Sequence, residues 1–236
     1  MKKNYRKINL ITNLILVLIF SAVVAVSFVP ESVVTIYGGS QINAIYNGDR
    51  TKKNVSLMFN VYENSENVIK IVDILNKYNA KATFFVGGCW ADDNQKTLDY
   101  IVNNNHELAN HGYFHKDHAK LSYEKNKEEI SLCGKIVNAL SGVSMNLFAP
   151  PSGSFSEKTL EAASDLGYKV IMWSKDTIDW RDSNKDLIVK RATKNIFNGD
   201  LILFHPKTHT LLALPEILEY YISVGLNMVT VSENIA

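Results

Sequence analysis

From Val55 onward the chain alternates short apolar runs with longer amphipathic stretches. Short runs rich in β-branched and aromatic residues read as strands, and stretches with a 3.6-residue apolar period read as helices. The pattern predicts strands at Val55–Phe59, Ala82–Val86, Glu107–Asn110, Leu147–Ala149, Lys169–Trp173, Leu201–Phe204 and Met228–Val231. Between them it predicts helices at Glu66–Tyr78, Gln95–Asn104, Tyr123–Leu140, Ser156–Leu166, Lys185–Asn195 and Leu212–Val224. Ser156 suits an N-cap, and Gly167 and Gly225 suit the position just after a helix end. Alternating strands and helices imply parallel strands joined by right-handed crossovers. Residues 55–236 are short for an eight-fold barrel, typically about 250 residues. The expectation is an α/β domain, a distorted or reduced (β/α) barrel of about seven parallel strands, preceded by one N-terminal hydrophobic helix.

Upstream the pattern is different. Residues 31–54 mix Gly, Ser, Asn and charge and read as a linker, with room for a short strand near Ile42–Tyr46. Ile8 to Val29 is a 22-residue run without a charge, flanked by Lys2, Lys3, Arg6 and Lys7 before it and Glu31 after it. As a helix it reaches about 33 Å, enough for a hydrocarbon core of about 30 Å. Residues 1–30 therefore read as a membrane anchor or a signal segment. The basic flank puts the N-terminus in the cytoplasm and the domain outside the cell membrane. Cleavage after Ala25-Val26-Ser27 is the rival reading, and it gives a secreted protein instead.

Composition adds only exclusions. Hydrophobic residues make up 46% and charged residues 21%, ordinary for a globular chain and unlike a disordered or collagen-like one. Beyond Pro30, acidic residues outnumber basic ones, so no electrostatic footprint for nucleic acid is present. Cys89 and Cys133 form no disulfide framework and read as two separate small apolar side chains.

The polar residues of interest collect at one end of the predicted strands. Asn60 follows the first strand, and His111 and His115 follow the third. Pro150 and Pro151 follow the fourth, Asp176 and Asp179 the fifth, and His205 the sixth. The C-terminal ends of the strands are where barrels of this kind build active sites. On a helical turn His111 and His115 would share a face and could reach one divalent ion. Imidazole suits zinc and similar ions; a pair of structural histidines is the alternative. His205 is a candidate proton donor, and Asp179 could hold its ring in one tautomer. His106, His118 and His209 read as surface or structural residues.

Five blocks, in order, then carry a resemblance. They are Lys81-Ala-Thr-Phe-Phe-Val, His106-Glu-Leu-Ala-Asn-His-Gly-Tyr-Phe-His, Phe148-Ala-Pro-Pro-Ser-Gly, Trp173-Ser-Lys-Asp-Thr-Ile-Asp-Trp and Leu203-Phe-His. The region from Val55 to the C-terminus resembles the polysaccharide deacetylase family, the NodB-homology domain of carbohydrate esterase family 4. It is most similar to a divergent branch found in spore-forming bacteria. The resemblance implies hydrolysis of N-acetyl groups on peptidoglycan- or chitin-like glycans. It implies a divalent metal (zinc, cobalt, nickel or manganese) on His111 and His115, with His205 as general acid and Asp179 as its tether. Pro150, Pro151 and Trp180 fall at substrate-binding positions. Lewis acid, base and acid are the parts that amide hydrolysis needs.

The same resemblance exposes three departures. Where the family carries the catalytic base this chain has Asn60, where it carries a third metal ligand it has Val61, and where it carries an arginine it has Ala149. A carboxamide does not take a proton near neutral pH, although it hydrogen-bonds water. Two imidazoles fall short of the three protein ligands usual for catalytic zinc. Glu63, the nearest acidic residue after the first strand, is a candidate substitute carboxylate. Two readings stay open: a deacetylase with a degenerate active site, and a non-catalytic descendant that binds glycan or a spore-envelope partner. Trp90 and Tyr113, with Trp180, are candidates for stacking on sugar faces.

Overall fold

The computed structural model describes residues 43–236. The strands are β1 (Asn54–Val61), β2 (Ala82–Val86), β3 (Glu107–Asn110), β4 (Leu147–Phe148), β5 (Lys169–Val170), β6 (Lys175–Asp176), β7 (Leu201–Phe204) and β8 (Asn227–Met228). The helices are α1 (Ser65–Lys77), α2 (Gly88–Asp93), α3 (Gln95–Asn103), α4 (Tyr123–Ser141), α5 (Glu157–Asp165), α6 (Lys185–Thr193), α7 (Thr208–Ser223) and α8 (Val231–Asn234). The sheet runs β5-β4-β3-β2-β1-β7-β6, with β8 added at the start of β1, and every strand pairing is parallel. No pairing joins β5 to β6 among the described residues, so the curled sheet is an incomplete barrel.

Strand parity sorts the side chains into two layers, because neighbours along a strand face opposite sides. Val55, Leu57, Phe59 and Val61 of β1 pack with Phe84, Val86, Leu108, Ile202 and Phe204 against α1, α3 and α7. Met58, Phe85, Ala109, Leu147, Ala149, Ile171 and Leu201 fill the interior of the curled sheet. The Phe59 ring stacks between Phe84 and Phe204 at centroid distances of 5.2 and 5.4 Å. A buried parallel sheet covered by helices is what such continuous apolar strands require.

The ends of the expected elements shift in informative ways. The second half of the stretch expected as a linker lies on the barrel: Ile45 bridges Ile171, and Asn47 bridges Asp200. The strand expected to run to Trp173 narrows to Lys169–Val170, with Met172 donating its N–H to Ile45. The two-residue β6 follows on the far edge. Val231, expected to end the last strand, instead opens α8, because Thr230 and Glu233 form a capping box. The helix α2 was not expected: it has six residues, beginning at Gly88, too few to show a period. The apolar run Ile8–Val29 lies outside the described residues. Among the described residues no helix is long and apolar enough to cross a membrane.

Candidate functional site

Parity and strand register converge on one cavity. On β1, Asn60 follows Ser56 and Met58 on the inner face; on β7, His205 continues the inward series from Leu201 and Leu203. After Ala109 of β3 the next inward position is His111. Asn60, His111, Leu203 and His205, with Tyr62, His115, Ser152, Trp173, Asp176 and Trp180, line a cavity of about 250 Å³ at the C-terminal ends of the strands.

The segment holding the two histidines is a loop, not the helical turn that their spacing suggested. Gly112 and His115 both take left-handed backbone angles, with φ of 75° and 54°. Glu129 of α4, itself buried, holds the loop by accepting the N–H groups of Tyr113 at 3.0 Å and Phe114 at 2.8 Å. The two imidazoles still meet, with ring centroids 5.2 Å apart. His111 Nδ1 lies 2.7 Å from the carbonyl oxygen of Ala149. A carbonyl only accepts, so Nδ1 carries the proton and Nε2 keeps its lone pair. Burial, then the nearby His115, push the His111 pKa well below its ordinary value. Burial lowers that of His115 as well. Both rings are thus neutral near pH 7, and the Tyr62 ring packs on His115 at 4.2 Å.

On the opposite wall His205 Nδ1 lies 2.8 Å from Asp179 Oδ1. Asp179 Oδ2 accepts the backbone N–H of His205 at 2.7 Å and the Thr210 hydroxyl at 2.6 Å. Asp179 is fully buried, so these donors replace its water. The carbonyl oxygen of Asp179 accepts Nε2–H of His209 at 2.6 Å. The arm fixes the His205 tautomer and leaves Nε2 for the cavity.

The remaining expectations land as follows. Trp180 is on the cavity wall and half exposed. Pro150 and Pro151 are buried, and their loop reaches the cavity through Ser152 instead. Trp90 and Tyr113 pack with the outer core and do not line the cavity. Glu63 is not on the wall either; it pairs with Lys207. Cys89 and Cys133 are unpaired, and burial pushes the Cys133 thiol up to about 12. His106 and His118 are buried, not at the surface. Asp176, expected among the residues at the strand ends, is on the wall; Tyr62, Ser152 and Trp173 were missed, and Trp173 lies in the motif already singled out for Asp179.

The polysaccharide deacetylase family model matches residues 47–171. A Bacillus cereus peptidoglycan-N-acetylglucosamine deacetylase is 32% identical over 170 residues, 70% of this chain and 79% of its own length. The chain belongs to the polysaccharide deacetylase family. The Bacillus subtilis protein YlxY is 33% identical over 193 residues, 82% of this chain, and the chain spans 60% of that relative's length. The crystal structure of a CE4-family pseudoenzyme from Bacillus anthracis superposes with a TM-score of 0.81 at 32% identity, over 84% of this chain and 70% of that one.

As a polysaccharide deacetylase-type site the cavity is degenerate. Asn60 is on the wall where the resemblance puts the base, and its Oδ1 is buried without a hydrogen-bond partner in the protein. Val61 is fully buried in the outer core. Ala149 is packed in the inner core, and its carbonyl serves His111. The donor set for a metal stops at two imidazoles. Among the described residues no group of three His, Cys, Asp or Glu could hold an ion. The residues present therefore do not fit a catalytic zinc centre with three protein ligands.

Proposed function

We propose that this deacetylase-type domain binds an N-acetylated glycan in the cavity without hydrolysing it at the rate of its active relatives. The observation that carries this is Asn60 on the inner wall facing the His205 arm, where hydrolysis needs a base. A missing general base costs about 10²–10⁴-fold in rate. Trp180 and Trp173 supply aromatic faces for sugar rings, and Asn60, Ser152 and His205 supply polar contacts. Zinc, cobalt, nickel or manganese would be held only weakly, on His111 and His115 alone. The uncharged run Ile8–Val29 and its basic flank support tethering to the cell membrane with the domain outside. Fractionation and protease accessibility in intact cells test that placement.

One observation favours slow deacetylation as a second reading: the arm formed by His205, Asp179 and Thr210 is complete. The full chain assayed for acetate release from N-acetylglucosamine oligomers and peptidoglycan, and for binding of the same glycans, separates the two. Binding without acetate, weakened several-fold by Trp180→Ala, is expected. Acetate release at rates typical of hydrolases overturns the binding reading.

A further inference from the structure

Beside the cavity runs a second groove, of about 500 Å³, between the edge strand β6 and helix α6. Four cations line it, Lys175, Lys190, Arg191 and Lys194, against the single carboxylate of Asp176. Two of them are engaged within the fold. Arg191 bonds Asp182 at 2.6 Å and the carbonyl oxygen of Thr177 at 3.0 Å, and Lys175 Nζ donates to the carbonyl oxygen of Lys194 at 2.7 Å. Lys190 and Lys194 have no carboxylate partner within 4.0 Å among the described residues. Beyond Pro30 the chain carries more acid than base, so this gathering runs against the overall balance. Like charges around a concave surface repel one another, and a bound anion relieves that repulsion.

Asp176 forms a wall of both the groove and the cavity, so the two are contiguous. Its Oδ1 is held by the N–H of Ile178 at 2.7 Å, which fixes the partition between them. A polymer whose sugar enters the cavity and whose chain runs past Asp176 would bring its next substituents to Lys175, Lys190 and Lys194. We propose that this groove is a subsite for carboxylate groups on the glycan, so that the domain selects an N-acetylated polymer bearing acidic substituents over a neutral one. The inference rests on the glycan-binding reading of the cavity for the identity of the polymer; the anion preference of the groove is read independently.

The test is binding of the full chain, in detergent micelles, to three probes by titration calorimetry. These are chitotetraose, a muramic acid-containing oligomer with free carboxylates, and the same oligomer with its carboxylates amidated. The free-carboxylate oligomer should bind about tenfold more tightly than the amidated one, as expected for two exposed ion pairs. The double variant Lys190→Gln/Lys194→Gln and high salt should each erase that difference while chitotetraose affinity stays unchanged. Equal binding of free and amidated oligomers, or a preference the double variant retains, overturns the proposal. Poly(glycerol phosphate), titrated as a fourth probe, overturns the assignment to carboxylates if it binds more tightly than the free-carboxylate oligomer in a lysine-dependent way. If chitotetraose fails to bind while the lysine-dependent preference persists, the groove assignment stands and the cavity reading falls.

Discussion

Asp179 and His205 are joined twice: one carboxylate oxygen accepts the ring N–H of His205 at 2.8 Å and the other accepts its backbone N–H at 2.7 Å. The carboxylate thereby sets both the ring's tautomer and the course of the chain as it leaves β7. Thr210 of α7 donates to the same group, so three donors from two elements meet on one buried charge. In Asp179→Asn an amide NH₂ faces donors where a carboxylate oxygen stood. Leaving a buried donor unpaired costs about 1–3 kcal/mol. Urea unfolding should show a loss of that order, and nitrogen NMR of the His205 ring should show its Nδ1–H tautomer no longer dominant. An unchanged stability and tautomer would mean that the arm does not position His205.

Replacing Asn60 by Asp restores a carboxylate at the position of the base but leaves the donor set at two imidazoles, because Val61 stays sealed in the outer core. Acetate release by Asn60→Asp alone is therefore expected to stay near the unmodified chain's level. Elemental analysis should find less than one equivalent of zinc on the dialysed full chain. Robust turnover by the single variant, or a full equivalent of metal lost on His111→Ala, contradicts this account of the site.

Much of this arrangement is legible in the sequence. The buried strands β1, β2 and β7 declare themselves through apolar runs, and rim residues such as Asn60 and His205 follow from where those runs end. What escaped was local. β6 has two residues, both polar, and carries no period. The i, i+4 spacing of His111 and His115 suggested a helix; left-handed angles at Gly112 and His115, with Glu129 reaching in from α4, bring the rings together by another route. Pro150 and Pro151 were expected on the wall because of their place after β4, but the chain turns there and presents Ser152. That Ala149 stands where the resembled family carries an arginine was visible in sequence; that its backbone carbonyl orients His111 was not, since main-chain partners leave no mark on composition.

Glu63 offers a sharp negative test. It is the nearest carboxylate after β1, yet it pairs with Lys207 and stays off the cavity wall. The pair is partly exposed, and such pairs contribute about 0–1 kcal/mol. Glu63→Gln is expected to leave glycan affinity and any residual acetate release unchanged, with at most a small shift in the thermal midpoint. A large fall in acetate release would make Glu63 the substitute base.

Acid should destabilise the domain well before its carboxylates titrate. His106 is 6% exposed, and its Nδ1 accepts the N–H of Ala82 at 3.3 Å. Burial, then Lys81, lower its pKa to about 4. In the unfolded chain the same ring titrates near about 6.5. Between those values the unfolded chain binds a proton that the folded chain refuses, so stability falls as pH drops through that window. Above it this residue adds no pH dependence. The loss attributable to His106 is at most about 3 kcal/mol. Burial shifts the rings of His111 and His118 in the same direction, which steepens the trend. Urea midpoints measured from pH 7 to pH 4 should decline. His106→Asn keeps an acceptor for Ala82 but has no proton to bind, so its decline should be shallower. A variant whose midpoints fall in parallel with those of the unmodified chain would show that the proton goes elsewhere.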